Sequence, residues 1–567
     1  MAGQSSASSS LRVSDGAVAT EKEGSSHAEA SNRLSLWTNL VQRVNVGDSL
    51  TRTAWRMPEA LAVVDGDRRF SYAELNCSVN RLANSLAERG YGSSSVLAMA
   101  VGNTVEFVMV YYACAKLGVV TVPLNLGWKS PEVAYVLDHS RADGIVIEAA
   151  LLGSLQEAIS SVEGLKEVIV IDGDGTESHL SGKGNHPYWL SFEQLLEAGD
   201  EREPLFLVED RHPMSYLYTS GTTSAPKGVV SSHLAVYMES LSAVVESGLD
   251  HTVRNVVMMP LFHTAQLNWF LTPVVIVGGS SFMMRGFDAG QLLELIERER
   301  ITHIFGLPMM YRALLAHPDL PHRDLSSLQR ATYAMAPMPD EDLRKAIEML
   351  GCDFALGFGQ TEMNPITTIF RPEDQLRYPG SVGTQIVNVQ TAIMDDSGNL
   401  LPPGKTGEIV YRGPHAMEGY LRDDKATEEA FAGGWFHSGD VGHIDENGVL
   451  WFEDRKKDVI KTGGENVASI EVEKAIYDAE PRIGEVAVIG VPHPHWGEAI
   501  TAVVVPKPGE QLSEEEVLTS ARQRLAGFKV PKKVILRSGL PHTSTGKIQK
   551  ATLRKELKSL YEGEGTD

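Results

Sequence analysis

The chain has 567 residues, of which 43% are hydrophobic, and a formal net charge of −23 at pH 7. Its length allows about three or four structural units, its composition is typical of a globular protein with large cores, and its negative charge argues against nucleic acid as a partner. The three cysteines lie far apart, which argues against a disulfide framework or a zinc ribbon and fits a reducing compartment.

The first 34 residues are rich in Ser, Ala and Gly and lack an apolar core. Residues 1–34 are therefore predicted to form a disordered leader. The leader contains four acidic residues and no apolar h-region, which argues against a transit peptide and against secretion. The last three residues, Gly565-Thr566-Asp567, do not form a peroxisomal signal. These features predict a cytoplasmic protein.

Residues 71–122 alternate between helical and strand-like patterns. Ser71–Glu74 forms a capping box at the start of an amphipathic helix. Val96–Val101 is then predicted as a buried strand, Val105–Leu117 as a helix and Val119–Val122 as a second strand. A strand–helix–strand crossover implies a parallel sheet that is covered by helices.

The same alternation returns further along the chain. A strand at Gly144–Ile147, a helix near Leu152–Val162 and a strand at Val168–Ile171 repeat the pattern. The helix Gln291–Arg300 is followed in the same way by a strand at His303–Gly306. These repeats predict an α/β body.

The stretch Asn255–Met284 contains no charged side chain. Prolines, glycines and the polar residues His263 and Asn268 interrupt it. A membrane-spanning helix needs about 20 predominantly apolar residues in a row. We therefore predict buried core here and no transmembrane segment.

The pattern changes beyond Val387. Short β-like runs at Thr391–Met394, Glu408–Tyr411 and Val449–Phe452 alternate with turns. They predict an antiparallel sheet or a small β-barrel over about residues 388–454, at the end of a domain that spans residues 35–454.

The charged stretch Asp454–Asp458 suits a hinge. Beyond it, helices around Ile470–Asp478 and Ser513–Leu525 and strands at Glu485–Val491 and Ile500–Pro506 predict a separate α+β domain over residues 455–567. From residue 455 onward the chain has 18 Lys+Arg against 16 Asp+Glu, whereas the preceding part has 33 against 58. A near-neutral tail beside an acidic body suggests that the tail handles anions, although an ordinary difference between surfaces is an equal alternative.

Residues Tyr218–Gly228 place hydroxyls, glycines and one lysine in a single loop. Backbone N–H groups and hydroxyls in such a loop form a cradle for phosphate oxygens. The loop is not a Walker A motif, because no Gly-Lys-Ser/Thr ends it. An isolated loop of this kind is more often a surface connection, so its meaning depends on the other motifs.

Six short segments occur in this order: Thr219–Gly228, Pro260–Thr264, Met335–Pro337, Phe358–Glu362, Gly434–Asp440 and Thr543–Lys547. They resemble, in residues and in order, the motifs of the adenylate-forming superfamily, which comprises acyl-CoA synthetases, luciferases and the adenylation domains of peptide synthetases. The resemblance covers about residues 35–560. It implies a large N-terminal domain of stacked α/β subdomains plus a small β-barrel, and a mobile α+β C-terminal domain.

The resemblance implies that the first segment holds the β- and γ-phosphates of ATP. Lys227 would be a mobile cation near the pyrophosphate. The nucleotide-binding residues implied here are Thr219, Ser220, Gly221, Thr222, Thr223 and Lys227, and Thr222 is also counted as catalytic. Family members usually have glycine where this chain has Ser224, which narrows the backbone freedom of the loop.

The resemblance also implies residues for adenine and magnesium. Phe358, in place of a more usual tyrosine, would stack on adenine, and the segment from Met335 would flank it, although the family has glycine at that position. Glu362, which is also counted as catalytic, is a hard oxygen ligand suited to Mg²⁺ bridging phosphate oxygens. The nucleotide-binding residues implied here are Ala336, Pro337, Phe358, Gly359, Gln360 and Thr361.

Asp440 matches the aspartate that accepts hydrogen bonds from both ribose hydroxyls in the family. An ionised aspartate suits this role because it is an acceptor with two oxygens. Arg455 would make a second contact with ribose or phosphate. An aspartate after Ser-Gly is otherwise usually an exposed turn residue.

In the tail, Lys547 resembles the family's adenylation lysine and would stabilise the negative charge that develops at the α-phosphate and on the departing pyrophosphate. Lys457 stands at the family's hinge position, and Lys461 where some members have a catalytic lysine for the second step. The segment implied to face the active site in the second half-reaction is Gly463, Gly464 and Glu465. The resemblance therefore implies a rotation of the tail.

His263 would lie near the carboxylate of the bound acid by the same resemblance, although a histidine between apolar residues is more often a core residue. Trp269 and Met309 are predicted to line the acyl pocket. Peptide-synthetase domains pair the substrate ammonium with an aspartate after a phenylalanine, whereas this chain has Phe262-His263. A buried, unpaired ammonium would be costly, so a free amino acid is a poor substrate.

The resemblance thus implies a stand-alone acyl-CoA synthetase that uses a carboxylic acid, ATP, Mg²⁺ and coenzyme A. Apolar residues at Val274–Val277 and Phe282–Met284 favour a fatty or aryl acid. We predict a medium- or long-chain fatty acid, with an arylpropenoic or benzoic acid as the alternative. A homodimer is compatible with the sequence.

Two alternatives from other classes stay open. One is a luciferase-like monooxygenase built on the same adenylation. The other is a non-catalytic relative that binds a nucleotide or a lipid. The presence of Lys547, Glu362 and Asp440 argues against the second alternative, because all three would serve catalysis or nucleotide binding.

Overall fold

The computed structural model describes residues 35–172, 187–219, 226–335, 338–542 and 548–562. Residues 35–454 are called the body below, and residues 455–562 the tail. Some sequence predictions lie outside the described residues, namely the leader 1–34 and the site residues Ser220, Gly221, Thr222, Thr223, Ala336, Pro337 and Lys547.

The strands are numbered in chain order, and β22–β26 belong to the tail. They are β1 Leu61–Asp65, β2 Arg68–Ser71, β3 Val96–Ala100, β4 Val120–Pro123, β5 Gly144–Glu148, β6 Glu167–Ile171, β7 Tyr188–Ser191, β8 Pro213–Thr219, β9 Lys227–Ser232, β10 Arg254–Val257, β11 Ser280–Met283, β12 His303–Gly306, β13 Arg330–Tyr333, β14 Asp353–Gly359, β15 Ile366–Phe370, β16 Thr384–Gln385, β17 Gln390–Met394, β18 Gly407–Arg412, β19 Gly419–Tyr420, β20 Phe436–Ile444, β21 Leu450–Arg455, β22 Ile460–Thr462, β23 Glu465–Val467, β24 Ile483–His493, β25 Gly497–Pro506 and β26 Lys533–Leu536.

The α-helices are numbered in the same way, and the last three belong to the tail. They are α1 35–42, α2 Val46–Arg56, α3 Tyr72–Glu88, α4 Val105–Leu117, α5 Ser130–Ser140, α6 Leu152–Ser161, α7 Phe192–Ala198, α8 His233–Ser247, α9 Thr272–Val277, α10 Ala289–Glu299, α11 Pro308–Leu315, α12 Asp340–Leu350, α13 Asp424–Ala430, α14 Ser469–Ala479, α15 Glu514–Arg522 and α16 Lys550–Glu556.

The first sheet of the body has eight strands in the order β19-β9-β8-β4-β3-β5-β6-β7. Its strands β4, β3, β5, β6 and β7 are parallel, as the predicted crossovers require. Helix α4 has the predicted bounds, and all of its residues are buried. Its two charged residues, Glu106 and Lys116, are buried in ion pairs with Arg68 and Glu203, as is expected for charges on a helix inside a large body.

The second sheet has nine strands in the order β16-β15-β14-β13-β12-β10-β11-β1-β2. It is parallel from β1 through β14 and antiparallel at its edges. Val257, the last residue of β10, and Leu261, which lies beyond the end of that strand, pack in one core with α4. The predicted α/β body is confirmed.

The uncharged stretch of the body forms β10, a π-helical turn Ala265–Leu271, helix α9 and strand β11. It is interior structure, as the sequence predicted. Across the described ranges, no helix combines the length and apolar character that crossing a membrane requires.

The third sheet of the body is antiparallel, in the order β17-β18-β20-β21. It corresponds to the region predicted as an antiparallel sheet or a small barrel. Residues 388–454 are all described, and in their sheet β17 and β21 are edge strands that do not pair with each other. The region is therefore an open antiparallel sheet and not a closed barrel. One reason is that β19, in the same stretch, pairs with β9 of the first sheet.

The tail contains one sheet, β23-β22-β25-β24, with β26 parallel to β25. Helices α14 and α15 pack on one face of this sheet and α16 on the other. The bounds of its helices and strands lie close to the predicted ones, and the α+β character of the tail is confirmed.

A buried polar network joins the body to the tail. Asp454, in β21, is 1% exposed, and its Oδ2 accepts hydrogen bonds from the backbone N–H and the hydroxyl of Ser469. Lys550 Nζ donates to Ser469 Oγ at 2.6 Å and lies 2.7 Å from Glu473 Oε1. The sequence predicted only a charged stretch suited to a hinge from Asp454 to Asp458. The hydrogen bonds from Ser469, supplied by the tail, allow Asp454 to be buried.

Candidate active site

The ends of the predicted phosphate loop are set by two antiparallel strands. Thr219, the last residue of β8, lies opposite Lys227, the first residue of β9. Tyr218 lies opposite Gly228 in the same ladder. The two ends of the loop are therefore held side by side, although residues 220–225 are outside the described ranges.

Helix α5 contacts both ends of this loop. Tyr135 and His139 stack on each other with ring centroids 5.3 Å apart. His139 Nδ1 lies 2.8 Å from the Tyr218 hydroxyl, and the Tyr135 hydroxyl donates to the carbonyl of Pro226 at 3.3 Å. Burial, together with the charge of Arg422, lowers the pKa of His139, so the ring is neutral at pH 7.

Two charged groups meet at Tyr420 beside the loop. The Tyr420 hydroxyl donates to Glu362 Oε1 at 2.9 Å. Lys227 Nζ lies 4.6 Å from the centroid of the Tyr420 ring and 3.8 Å from Asp423 Oδ2. A cation over an aromatic face gains about 0.5–1 kcal/mol at an exposed position, which is weak enough for a phosphate to draw the lysine away.

The segment Phe358–Glu362 crosses from β14 into a short helical turn. The Phe358 ring lies 5.3 Å from the Phe452 ring at an angle of 45°. A Cβ on Gly359 would lie 2.0 Å from the carbonyl oxygen of Pro365, so only glycine fits there. Gln360 N donates to that same carbonyl at 2.8 Å, and Thr361 begins the turn that carries Glu362.

Glu362 has the chemistry that magnesium requires. A carboxylate offers roughly four lone-pair positions, and Tyr420 occupies one of them. In the parts of the chain that the structure describes, no three His, Cys, Asp or Glu side chains converge as a metal cage. Magnesium usually takes one or two carboxylates together with phosphates and waters, and a single glutamate beside a phosphate loop fits that pattern.

Asp440 and Arg455 lie opposite each other on β20 and β21. Asp440 is 3% exposed, and its Oδ1 lies 3.0 Å from Arg455 Nε. Asp440 is therefore not the exposed turn residue that its Ser-Gly context alone suggests. The side chain of Arg455 is half-exposed, so the pair reaches solvent on one side.

The residues predicted for the acid differ in exposure. His263 closes a turn through its N–H to the carbonyl of Pro260 at 3.1 Å, and its ring lies 4.8 Å from that of Phe262. Trp269 is 1% exposed and lies in the core of the body. Met309 is 65% exposed on α11, so its side chain is not enclosed; the neighbouring Met310 packs against the core instead.

The predicted tail residues form a hairpin. Lys461 and Glu465 lie on β22 and β23, and Gly463 and Gly464 form the turn between them with φ of 59° and 87°. Two consecutive positive φ angles are the reason for two glycines. Lys457 lies in the turn that follows β21.

Sequence reasoning missed three residues of this region: Tyr135, His139 and Tyr420. Tyr135 and His139 are four residues apart, which places both on one face of a helix. Nothing in the sequence indicated that this face contacts the loop. Tyr420 belongs to a strand of two residues, which is too short for any periodic pattern.

Two family models match the chain. The model described as AMP-binding enzyme matches residues 50–421, and that described as AMP-binding enzyme C-terminal domain matches residues 471–547. A feruloyl-CoA synthase from Amycolatopsis sp. is 36% identical over 90% of this chain and 99% of its own length. An indoleacetate–CoA ligase from Aromatoleum aromaticum and the long-chain-fatty-acid–CoA ligase FadD13 from Mycobacterium tuberculosis are each 33% identical, over 90% of this chain and 98% of their own lengths.

Solved structures of acyl-CoA ligases and related enzymes also match the chain. ATP-bound MatB from Rhodopseudomonas palustris matches with a TM-score of 0.82 at 30% identity, covering 92% of this chain and all of that one. Apo MatB matches with a TM-score of 0.72 at the same identity and coverage. The anthranilate CoA ligase AuaEII with anthranoyl-AMP has a TM-score of 0.82 at 26% identity, covering 92% and 99% of the two chains. The chain therefore belongs to the AMP-binding enzyme family, in which it is an ATP-dependent acyl-CoA ligase.

Proposed function

We propose that the protein activates an aryl or arylpropenoic acid in two steps at one site. In the first step a carboxylate oxygen of the acid bonds to the α-phosphorus of ATP, and the bond to pyrophosphate breaks. In the second step the sulfur of CoA bonds to the acyl carbon, the thiol loses its proton, and AMP leaves. The observation that carries the proposal is that Lys227 and Glu362 both contact Tyr420, next to the two ends of the phosphate loop, which lie side by side.

The nucleotide roles rest on the resemblance of the motifs to those of the family, and the charges of the described residues agree with them. Lys227 and the loop from Thr219 would bind the β- and γ-phosphates, and Glu362 would hold Mg²⁺, which neutralises phosphate charge. Asp440 would accept from the ribose hydroxyls, with Arg455 beside it. Phe358, Gly359, Gln360 and Thr361 would line the base and the α-phosphate, together with Ala336 and Pro337.

The tail would act in both steps. Lys547 would stabilise the charge that develops in adenylation, and the hairpin of Lys461, Gly463, Gly464 and Glu465 would face the site in thioester formation. Lys457 would serve as the hinge between the domains 35–454 and 455–567.

The choice of an aryl acid rests on packing and on the relatives. Trp269 is 1% exposed, and it shares a core with Phe270 and Phe305, whose rings stack with centroids 4.5 Å apart. This core would border the acyl group. Close-packed aromatic rings leave little room for a long straight chain. His263 would lie at the carboxyl end. The relatives named for feruloyl-CoA and indoleacetate also act on ring-bearing acids.

A fatty acid is the second candidate, and FadD13, named for long-chain fatty acids, supports it. The test is the kcat/KM for AMP formation with ferulate, indoleacetate, octanoate and palmitate, each with and without CoA. The proposal expects ring-bearing acids to exceed both fatty acids and turnover to require CoA. Higher kcat/KM with palmitate would favour the fatty acid, and oxygen uptake without any CoA requirement would favour the luciferase-like alternative.

A further inference from the structure

Tyr420 has no role in the proposed mechanism, yet it contacts both charged groups at the nucleotide end of the site. Its hydroxyl bonds to Glu362, and its ring faces Lys227. We propose that Tyr420 is a positioning residue that holds Glu362 for magnesium and Lys227 for the triphosphate. This inference rests on the proposed roles of those two residues and goes beyond them.

The geometry keeps two opposite charges apart. Lys227 lies at the face of the Tyr420 ring, whereas Glu362 lies at its hydroxyl. Opposite charges in direct contact attract strongly and offer less charge to a ligand. The ring attracts the ammonium without neutralising it, and Asp423, whose half-exposed carboxylate lies 3.8 Å from Lys227 Nζ, forms only a loose ion pair with it. Among the described residues, the Tyr420 hydroxyl is the donor to the Glu362 side chain and occupies one of its roughly four lone-pair positions. Both groups therefore remain available to bind ATP and its metal ion.

The backbone around Tyr420 fixes the position of the ring. Tyr420 lies opposite Val229 of β9, the strand that begins with Lys227. Leu421 N donates to the carbonyl of Gly228 at 2.8 Å, and Met417 N donates to the carbonyl of Glu362 at 2.7 Å. One short segment thus holds the backbone beside Lys227 and the backbone of Glu362 itself.

The residue before Tyr420 must be glycine for this arrangement. Gly419 has a φ of 149°, and a Cβ there would lie 2.8 Å from Thr427 Cγ2. Tyr420 N donates to the hydroxyl of the same threonine at 2.9 Å. The phenol hydroxyl carries a proton that it donates to Glu362 Oε1.

The experiment measures binding rather than turnover. Calorimetry gives the Kd of the full chain for the α,β-methylene analogue of ATP, with and without Mg²⁺. Tyr420→Phe keeps the ring and removes the hydroxyl, so we expect about tenfold weaker binding with Mg²⁺, equivalent to about 1.4 kcal/mol, and no change without it. Tyr420→Leu also removes the aromatic face and is expected to weaken binding under both conditions.

A second pair of variants separates positioning from general damage. In a Glu362→Gln background, Tyr420→Phe is expected to add no further loss, because the two residues act through one contact. Tyr72→Phe is the matched control, since its hydroxyl donates to the carbonyl of Gly279 at 2.7 Å within the body. This control is expected to lower the melting temperature and leave the Kd unchanged.

Wild-type affinity of Tyr420→Phe with Mg²⁺ would overturn the inference, and so would a full loss that persists in the Glu362→Gln background. A wild-type chain that binds no analogue under either condition contradicts the proposed function itself and removes this inference with it. Binding by the wild type with unchanged binding by Tyr420→Phe contradicts the role of Tyr420 alone.

Discussion

Two polar clusters among the described residues, one at the loop and one at the junction of body and tail, differ in how completely their charges are satisfied. At the loop, Lys227 lies over the Tyr420 ring and 3.8 Å from the half-exposed Asp423 carboxylate, and Glu362 accepts a hydrogen bond from the Tyr420 hydroxyl. Both Lys227 and Glu362 keep contact with solvent. At the junction of body and tail, Asp454 and Ser469 are buried, and each bonds to further partners. The first arrangement leaves charge available to a ligand, whereas the second holds charge in place.

This difference predicts which measurement each cluster affects. Changes at the loop should alter nucleotide affinity or the rate of adenylation with little change in folding. Changes at the junction should alter stability and the relation of tail to body. The following four predictions, from the largest expected effect to the smallest, separate in the same way effects on catalysis and nucleotide binding from effects on stability.

Lys547→Ala is expected to slow formation of the acyl adenylate by about 10²- to 10³-fold, because it removes electrostatic stabilisation of the transition state. Use of a preformed acyl adenylate should change much less. The measurement is carboxylate-dependent pyrophosphate exchange compared with thioester formation from synthetic acyl adenylate. Lys550→Ala is the matched control three residues away; it should lower stability and affect both half-reactions equally. Equal losses in Lys547→Ala would contradict its assignment.

Asp454→Ala is expected to lower the free energy of unfolding by about 2–3 kcal/mol, because the buried N–H and hydroxyl of Ser469 lose their acceptor. Urea denaturation monitored by fluorescence measures this change. Asp396 is a surface aspartate whose Oδ1 lies 3.0 Å from Lys456 Nζ, and Asp396→Ala should cost less than about 0.5 kcal/mol. Similar costs in the two variants would remove the distinction between the buried junction and the surface.

Asp440→Ala is expected to raise the KM for ATP by about 10- to 100-fold with a smaller change in kcat, because a charged acceptor for the ribose is lost. Steady-state kinetics with ATP varied at saturating acid and CoA provide the measurement. Asp445→Ala, at a turn of the same sheet, should leave that KM unchanged. An unaltered KM for ATP in Asp440→Ala would remove the ribose role.

The buried histidines of the body predict its response to acid. Burial, with the charge of Arg330, lowers the pKa of His303 from 6.5 to about 4. Between these values the unfolded chain binds more protons than the folded one, so stability falls as pH decreases through this window. His303→Gln should reduce this slope by about 1.4 kcal/mol per pH unit at most. Denaturation at pH 7, 6 and 5 checks it, and an identical slope in wild type and variant would contradict it.

The elements of the fold that the sequence predicted share one property, namely that local signals determine them. Helix α4 begins after Thr104, whose hydroxyl caps it, and ends at Gly118 in a left-handed conformation, and both signals are visible in the chain. The capping box at Ser71 is likewise local and is present. The parallel order followed from the crossovers.

The features that the sequence did not predict depend on partners from distant segments. Asp454 is buried because Ser469 comes from the tail, and Tyr420 contacts Glu362 across 58 positions of the chain. Nor did the sequence distinguish Met309 from Met310, because two adjacent helical residues differ in burial only through tertiary packing. The predicted roles of the site residues remain predictions that the variants above can test.

Strand β19 has a consequence for cutting the chain apart. It comes from the stretch 388–454 but hydrogen-bonds to the edge of another sheet, and Glu418 just before it bonds to Arg211 and Ser232 at 2.7 Å each. A fragment that stops before residue 388 would expose β9 as a bare edge, open to pairing with other chains. We therefore expect such a truncation to aggregate, whereas a cut after Arg455 removes only the tail. We therefore expect the smallest fragment that keeps this edge covered to include all three sheets of the body.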